Sequence, residues 1–229
     1  MTVPAIPAGS LILVRHGQTA SNIVHRLDSR PPGAPLTELG HGQAQALVQA
    51  LGGVELAAVV SSVAVRAQQT AAPLAAAVGT QVQVLDGLQE TDAGVLEDRE
   101  DREAHLEFVR VYGAWHAGEL DARIAEGESG REVLARFVPV VQQLRQRHLH
   151  QGAGSVVLVS HGAAIRLVAA QLAGVDGDFA ATYSLPNTAM VVLQPTAEGW
   201  RCLQWDQHTP PFRAPTPRTS RAPLRTTGN

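Results

Sequence analysis

The sequence predicts an α/β fold: a three-layer α/β/α sandwich with a mostly parallel central sheet and a small helical cap insertion at about 92–128. Two observations lead to this class. Short apolar runs rich in Val and Leu alternate with longer segments of helical periodicity, a pattern typical of parallel strands joined by right-handed crossovers. Two of these runs, Leu11–Val14 and Ser155–Ser160, are followed closely by a His-Gly pair. That arrangement predicts polar chemistry at the carboxyl ends of two strands.

The predicted strands are buried apolar runs, and the predicted helices have apolar residues three or four positions apart. The strands are Leu11–Val14, Val54–Ser61, Val82–Leu85, Ser155–Ser160, Thr188–Leu193 and Trp200–Asp206. The helices are Thr37–Leu51, Val63–Val78, Ala104–Ala117, Ser129–His150 and a segment from Gly162 through Leu172. Pro139 lacks the N–H that a helix interior uses, and we expect it to kink or break the fourth of these helices.

The chain divides by composition into one large domain and a tail. Its 229 residues can bury one sizeable core, and we assign residues 1–208 to a single α/β domain. Residues 209–229 hold five Pro and four Arg and few large apolar groups, which indicates a flexible tail or an arm that orders on another surface. A second copy of the chain could offer that surface, so a homodimer is left open.

The distribution of charge excludes several classes of function. The net charge is −3, but the last 20 residues carry four Arg and no acid, which leaves 14 Arg against 21 acidic residues in the body. An acidic body lacks the broad basic surface of a nucleic-acid-binding protein, and we expect no nucleic-acid partner. All 18 basic residues are Arg. The absence of Lys excludes a Schiff-base lysine and the lysine of a phosphate-binding loop.

The single cysteine and the short apolar runs predict the compartment. Cys202 stands alone, so neither an intrachain disulfide nor a cysteine-based zinc cluster can form, and a cytoplasmic location is expected. The first apolar run, Leu11–Val14, is far shorter than a signal sequence or a membrane span. We therefore expect no membrane partner.

Two imidazoles are expected to meet at one edge of the sheet. His16 and His161 each follow a predicted strand, and each is followed by Gly, which lets the backbone approach an anion closely. A helix that begins after Gly162 would direct unpaired N–H groups toward the same place. Phosphate is the natural ligand of such a site.

The motifs around these residues resemble those of the histidine phosphatase superfamily, in its phosphoglycerate-mutase-like branch. The first motif is Arg15-His16-Gly17-Gln18-Thr19 with Asn22, and the second runs from Ser61 to Ala71 and contains Arg66. The others are Pro35–Gly40, Leu88-Gln89-Glu90, Gly127-Glu128-Ser129 and Val159-Ser160-His161-Gly162. The resemblance covers residues 11 to about 206, with these motifs in the family's order, and makes residues 1–208 a catalytic domain.

The resemblance implies hydrolysis of a small phosphomonoester in two steps, without metal or cofactor. His16 would attack phosphorus to form a phosphohistidine, which water then hydrolyses. Arg15, Arg66 and His161 would complete the catalytic set, with Glu90 as the proton donor. The residues implied to bind the phosphate are Arg15, Gln18, Thr19, Asn22, Arg66, His161 and Gly162.

Two other functions stay open at this point. The same catalytic residues serve a phosphoglycerate-type mutase, but only 71 positions separate Glu90 from His161, and no patterned cap of the mutase kind is visible between them. A non-catalytic module that binds a phosphorylated ligand is the second alternative. It would be expected to lack one of the catalytic residues, and none is missing.

Several assignments near the pocket also stay open. Asp92, Glu97 and Asp98 lie close to Glu90 in sequence and compete for its role. Arg26 and Arg30 could extend the pocket over the leaving group or remain solvated surface charges. Three aromatic residues of the cap could belong to the core or stack on a substrate, with the core favoured: Phe108, Tyr112 and Trp115.

Overall fold

A six-stranded mixed sheet forms the centre of the protein in a computed structural model, which describes residues 6–149 and 154–214. The strands are β1 (Leu11–Arg15), β2 (Leu56–Ser62), β3 (Val82–Leu85), β4 (Ser155–Ser160), β5 (Met190–Thr196) and β6 (Gly199–Trp205). Their spatial order is β3-β2-β4-β1-β5-β6. The first four are parallel, whereas β5 and β6 are antiparallel to their neighbours. The predicted mostly parallel sheet is confirmed.

Helices cover both faces of this sheet. They are α1 (Ala20–Ile23), α2 (Glu38–Ala50), α3 (Val65–Ala77), α4 (Arg102–His116), α5 (Gly130–His148), α6 (Gly162–Ala173) and α7 (Gly177–Thr182), with a 3₁₀ turn at Gly94–Leu96. Alternate side chains of β1 belong to two cores on opposite faces of the sheet. Leu11 and Leu13 pack on the side of α4 to α7, and Ile12 and Val14 pack on the side of α2 and α3. The predicted three layers follow from this alternation. No helix among the described residues is long and apolar enough to cross a membrane.

The pairing of β1 with β4 positions the two histidines. Arg15 lies opposite Ser160 in the parallel register, so the residues that follow them, His16 and His161, leave the sheet at the same edge. The backbone N–H of His16 donates to the Ser160 carbonyl at 2.9 Å, which extends the pairing by one residue. The His-Gly pairs expected at one edge of the sheet are therefore adjacent.

The expected break of the helix at Pro139 is wrong, and the other expected outcome, a kink, stays a prediction. α5 continues from Gly130 to His148 through this residue. A capping box joins the side chains of Ser129 and Glu132 to the first turn and stabilises its start. The inner side of the helix is buried at Val133, Phe137, Val141 and Leu144. We attribute the continuity to this packing, which offsets the roughly 3 kcal/mol that an interior proline costs.

The remaining differences concern element ends and two short helices. Sequence periodicity did not predict α1 and α7, which have four and six residues. The fifth strand begins at Met190 rather than Thr188, because Thr188 has a φ of 61° and cannot join an extended strand. His150 and residues 215–229 lie outside the described residues. The division into a domain at 1–208 and a tail at 209–229 stays a prediction.

Candidate active site

A cavity of about 210 Å³ opens at the carboxyl edge of the parallel strands. Seven of the residues predicted from the sequence line it: Arg15, His16, Thr19, Asn22, Arg66, Glu90 and Gly162. They come from the end of β1, the short helix α1 and its N-cap, the start of α3, the loop after β3 and the start of α6. The sheet topology thus brings together residues that are as far apart in sequence as Arg15 and Gly162.

His16 is a buried, neutral imidazole with a defined tautomer. Its Nδ1 lies 2.7 Å from the Gly17 carbonyl oxygen, and because a carbonyl only accepts, Nδ1 carries the proton. Nε2 then holds the lone pair. Burial lowers the pKa of His16 well below its usual value, and the positive charges of Arg66 and Arg15 lower it further. The ring is therefore suited to nucleophilic attack at neutral pH.

His161 lies beside His16, with ring centroids 5.2 Å apart and planes inclined by 60°. Its Nε2 is 2.9 Å from the Ser62 hydroxyl, and the side chain is completely buried. Burial first, and then the charge of Arg66, lower the pKa of His161. Within the described part of the chain its buried Nδ1 has no hydrogen-bond partner. Because such an atom is costly to leave unpaired, a ligand oxygen at this place would be stabilising.

Arg15 and Arg66 approach the cavity from different sides. Arg15 Nη1 donates to the Leu185 carbonyl at 2.6 Å, while its buried Nε has no partner among the described residues. Arg66 is only 2% exposed. Its Nη2 donates to the Asp28 carbonyl oxygen at 2.9 Å, and its Nη1 lies 3.4 Å from the Asp28 carboxylate. Two guanidinium groups thus line the cavity with His16.

Thr70 connects the His16 loop to the helix that carries Arg66. Its hydroxyl accepts from the Gly17 N–H at 2.9 Å and donates to the Arg66 carbonyl at 2.7 Å. Thr70 is completely buried, so this bridge is shielded from water. It fixes the position of the His16 loop relative to the start of α3.

The side chain of Glu90, a residue of the loop after β3, reaches the amino-terminal end of α6. Its carboxylate accepts from the backbone N–H groups of Ala163 at 3.1 Å, Ala164 at 2.9 Å and Thr91 at 2.9 Å. These contacts correct the expectation that the first turn of α6 directs its unpaired N–H groups at the phosphate. Two of those groups hold the predicted proton donor instead, because a carboxylate is stabilised by the positive end of the helix dipole.

The polar residues after His16 take different positions. Thr19 caps α1, and the Asn22 side-chain oxygen accepts from the Thr19 N–H at 3.2 Å and from Asn187 Nδ2 at 3.1 Å. Both Thr19 and Asn22 line the cavity. Gln18 does not, because its side-chain oxygen accepts from the Thr37 hydroxyl at 3.0 Å, away from the cavity. Asn187, which also donates to the His16 carbonyl at 3.0 Å, was not predicted from the sequence.

The cationic extension of the cavity comes from Arg166, which the sequence reasoning missed. Arg30 pairs with Asp92 outside the cavity, and Arg26 pairs with Glu100 at its exposed rim. Arg166 lines the cavity, donates to backbone carbonyl oxygens of α6 and α7, and stacks over Tyr112 at 4.5 Å. It makes no ion pair within the part of the chain described. The sequence did contain a signal for Arg166. It lies four positions after Gly162, and residues with that spacing share one face of a helix.

The aromatic residues of the cap divide between core and cavity. Tyr112 and Trp115 are buried, at 4% and 3% exposure, as favoured from the sequence. Phe108 lines the cavity. Among residues 6–149 and 154–214, no three His, Cys, Asp or Glu side chains are grouped so that they could hold a metal ion.

Acidification is expected to destabilise the fold through the two active-site histidines. In the unfolded chain each imidazole titrates near pH 6.5, whereas in the folded protein the pKa values of His16 and His161 are lower. The unfolded state therefore binds more protons below about pH 6.5. The free energy of unfolding therefore has its full contribution from the two neutral imidazoles above about pH 6.5. It loses this contribution as the pH falls toward the lowered pKa values of the folded state.

Thermal denaturation followed by circular dichroism between about pH 7.5 and 5 checks this prediction, since that window spans the unfolded pKa. His161→Asn should show a shallower fall in Tm than the wild type. His41→Asn, a change on the exposed side of α2, should keep the wild-type slope. Equal slopes in the wild type and His161→Asn would contradict the assignment.

Comparison with known proteins connects this geometry to a family. The sequence matches the histidine phosphatase superfamily (branch 1) over residues 11–208. It is 31% identical over 194 residues to the probable phosphoglycerate mutase GpmB of Yersinia pestis, a match that covers 84% of this chain and 88% of that protein. It is 34% identical over 207 residues to the PE-PGRS family protein PE_PGRS11 of Mycobacterium tuberculosis, where it covers 84% of this chain but only 35% of the longer protein.

A solved structure gives the same result for the fold. The mycobacterial glucosyl-3-phosphoglycerate phosphatase in complex with VO3 superposes with a TM-score of 0.72 at 31% sequence identity, covering 86% of this chain and 98% of that one. Similarity therefore extends over nearly the whole described fold, both to a protein named as a mutase and to one named as a phosphatase.

Proposed function

Because this chain belongs to the histidine phosphatase superfamily, we propose that it hydrolyses a small phosphomonoester through a phosphohistidine intermediate on His16. The observation that carries the proposal is a pair of buried polar atoms near His16, Arg15 Nε and His161 Nδ1, which have no hydrogen-bond partner among the described residues. A phosphoryl group would pair both. The cavity volume of about 210 Å³ suits a small metabolite.

The first chemical step uses the His16 tautomer. Nε2 attacks phosphorus, the bond from phosphorus to the ester oxygen breaks, and Glu90 transfers its proton to the departing alcohol. Arg15 and Arg66 hold the phosphoryl oxygens as charge develops on them, and each such contact is worth on the order of 2–4 kcal/mol. His161, Asn22, Thr19 and the Gly162 backbone complete the phosphate site. Gln18 is left out because of its contact with Thr37.

The second step returns the enzyme to its starting state. Water attacks the phosphohistidine while Glu90, now ionised, accepts a proton from it, and inorganic phosphate leaves. His16 regains its lone pair on Nε2, while Nδ1 keeps its proton and continues to donate it to the Gly17 carbonyl oxygen. The reaction requires neither a metal ion nor a cofactor in this scheme.

The leaving group is expected on the side of Glu90 and α6. Arg166 offers a guanidinium there that has no acidic partner among the described residues and donates to backbone carbonyl oxygens, and the ring of Phe108 lines the same cavity. A buried or half-buried cation favours an anionic partner. We therefore propose substrates whose alcohol carries a carboxylate or a second phosphate.

Phosphate release separates hydrolysis from the mutase alternative. The purified protein should release inorganic phosphate from p-nitrophenyl phosphate without a bisphosphate primer, and from a panel of metabolites it should prefer phosphomonoesters with a second anionic group. Transfer of phosphate within 3-phosphoglycerate, without release, would establish the mutase. Binding of phosphate without any turnover would establish the non-catalytic module.

We also propose a cytoplasmic location and a homodimer that forms through the tail. The single cysteine, Cys202, is buried, and burial raises its pKa to about 12, which suits a structural thiol in a reducing cytoplasm. The tail at 209–229 stays the proposed surface for a homodimer, and the acidic body disfavours nucleic acid. Gel filtration with and without the tail tests the homodimer.

A further inference from the structure

Arg136 binds the backbone of the loop that carries Glu90. Its Nη1 donates to the carbonyl oxygens of Gly87 and Gln89, and its Nη2 donates to that of Glu90, each at 2.9 Å. The remaining carbonyl, that of Leu88, accepts from the Ser160 hydroxyl at 2.7 Å. Four consecutive carbonyl oxygens are therefore held by side chains from α5 and the end of β4.

Glu128 fixes the guanidinium that makes these contacts. Its carboxylate accepts from Arg136 Nε at 2.6 Å and from Arg136 Nη2 at 2.8 Å. The same carboxylate accepts from the Asp92 N–H at 3.0 Å, so it also holds the far end of the loop. All five N–H groups of Arg136 are used, and a guanidinium has no others.

The loop lies close against α5, as its glycine shows. Gly87 has a φ of 86°, and a Cβ at this position would lie 2.7 Å from the Arg136 carbonyl oxygen. The pair of Arg136 and Glu128 is about one-fifth exposed, which makes its hydrogen bonds stronger than those of a surface pair. Arg136 does not line the cavity of His16. Its hydrogen bonds therefore affect the reaction through the loop, and its charge, which also lowers the pKa of His161, is kept when lysine replaces it.

We propose that Arg136, oriented by Glu128, is a positioning residue for the proton donor Glu90, a proposal that rests on the proposed function. Proton transfer requires the carboxyl group to lie within hydrogen-bond reach of the leaving oxygen. The Glu90 side chain is held by α6, but its backbone is held by Arg136, so the two together determine where the proton is delivered. Loosening the backbone allows the carboxyl group to move away from that oxygen.

Substrates with different leaving groups reveal this role. An alkyl phosphate needs a proton on its leaving oxygen, whereas 2,4-dinitrophenyl phosphate expels a stable phenolate without one. Arg136→Lys keeps the charge but cannot make five directed hydrogen bonds. We expect kcat/KM to fall by about 10- to 100-fold for the alkyl phosphate and by less than about 3-fold for the dinitrophenyl ester, given that general acid catalysis contributes roughly 10²–10⁴.

Two further variants support the comparison. Arg131→Lys is the matched control, because Arg131 lies on the same helix and binds Asp121 through two hydrogen bonds but is exposed. It should leave both rates at the wild-type value. Glu128→Gln keeps the shape of the side chain while weakening its hold on Arg136, and it should show the same dependence on the leaving group. It replaces Arg136→Lys if that variant does not fold.

The outcomes distinguish this proposal from the function on which it rests. Glu90→Gln should lose activity on the alkyl phosphate selectively. Equal loss on both esters in Glu90→Gln would overturn Glu90 as the proton donor. A selective loss in Glu90→Gln, combined with equal loss or no loss on both esters in Arg136→Lys and Glu128→Gln, would overturn the positioning role alone.

Discussion

His16→Ala should lose essentially all turnover, by at least about 10⁴-fold, because the residue that forms the covalent intermediate is gone. Water must then attack the phosphomonoester directly, without the covalent intermediate that divides the reaction into two easier steps. The variant should also form no acid-labile phosphoenzyme. Both results are measured with labelled substrate, by phosphate release and by trapping the protein after a rapid quench.

The same variant should still bind inorganic phosphate. Arg15, Arg66 and His161 remain, so calorimetry should give a Kd within about tenfold of the wild type, a difference of roughly 1.4 kcal/mol. His41→Ala, on the exposed side of α2, controls for a general effect of losing an imidazole. Wild-type rates in His16→Ala, or label on another residue, would refute His16 as the nucleophile.

Arg66→Lys should lower kcat/KM by about 10²-fold, although the charge is kept. The Arg66 guanidinium is buried and donates through Nη2 to the Asp28 carbonyl oxygen and through Nη1 to the Asp28 carboxylate, and its planar shape leaves further N–H groups for the phosphoryl group. A lysine ammonium cannot be directed at both at once. The loss should be larger in kcat than in phosphate affinity, since the contact strengthens as charge develops in the transition state.

Arg145→Lys is the matched control for this change. Like Arg66, Arg145 donates to backbone carbonyl oxygens, in this case those of Gly199 and Thr196. It stacks over Trp200 and does not line the cavity. It should alter Tm without altering kcat/KM. If Arg66→Lys keeps the wild-type kcat/KM and differs only in Tm, then Arg66 is a structural residue rather than a phosphate ligand.

Most of the fold could be predicted from the sequence because its signals are local. Apolar runs such as Ser155–Ser160 and helical spacing such as that before Gly52 reflect the period of each element, and the alternation of the two implies a parallel sheet. The predicted break at Pro139 does not occur, because packing on the sheet outweighs the local rule. The prediction also missed α1 and α7, which are too short to show a period.

The grouping of His16 with its neighbours could likewise be predicted, since these residues lie next to strand ends within short motifs. Arg15, His16 and Asn22 are close in sequence, and His161 occupies the equivalent place on another strand. Residues that act through distant contacts left no such signal. Arg136 reaches Glu90 across 46 positions, and Ser62 reaches His161 across 99.

The fold class, the two histidines and the family could thus be inferred from the order of residues along the chain, because periodicity and short motifs are properties of neighbouring residues. The partner of each polar group depends instead on how the chain packs. The first turn of α6 binds Glu90, Arg66 donates to Asp28, and the loop carbonyl oxygens accept from Arg136. Buried polar groups must be paired, and the pairing depends on which surfaces the packed core brings into contact.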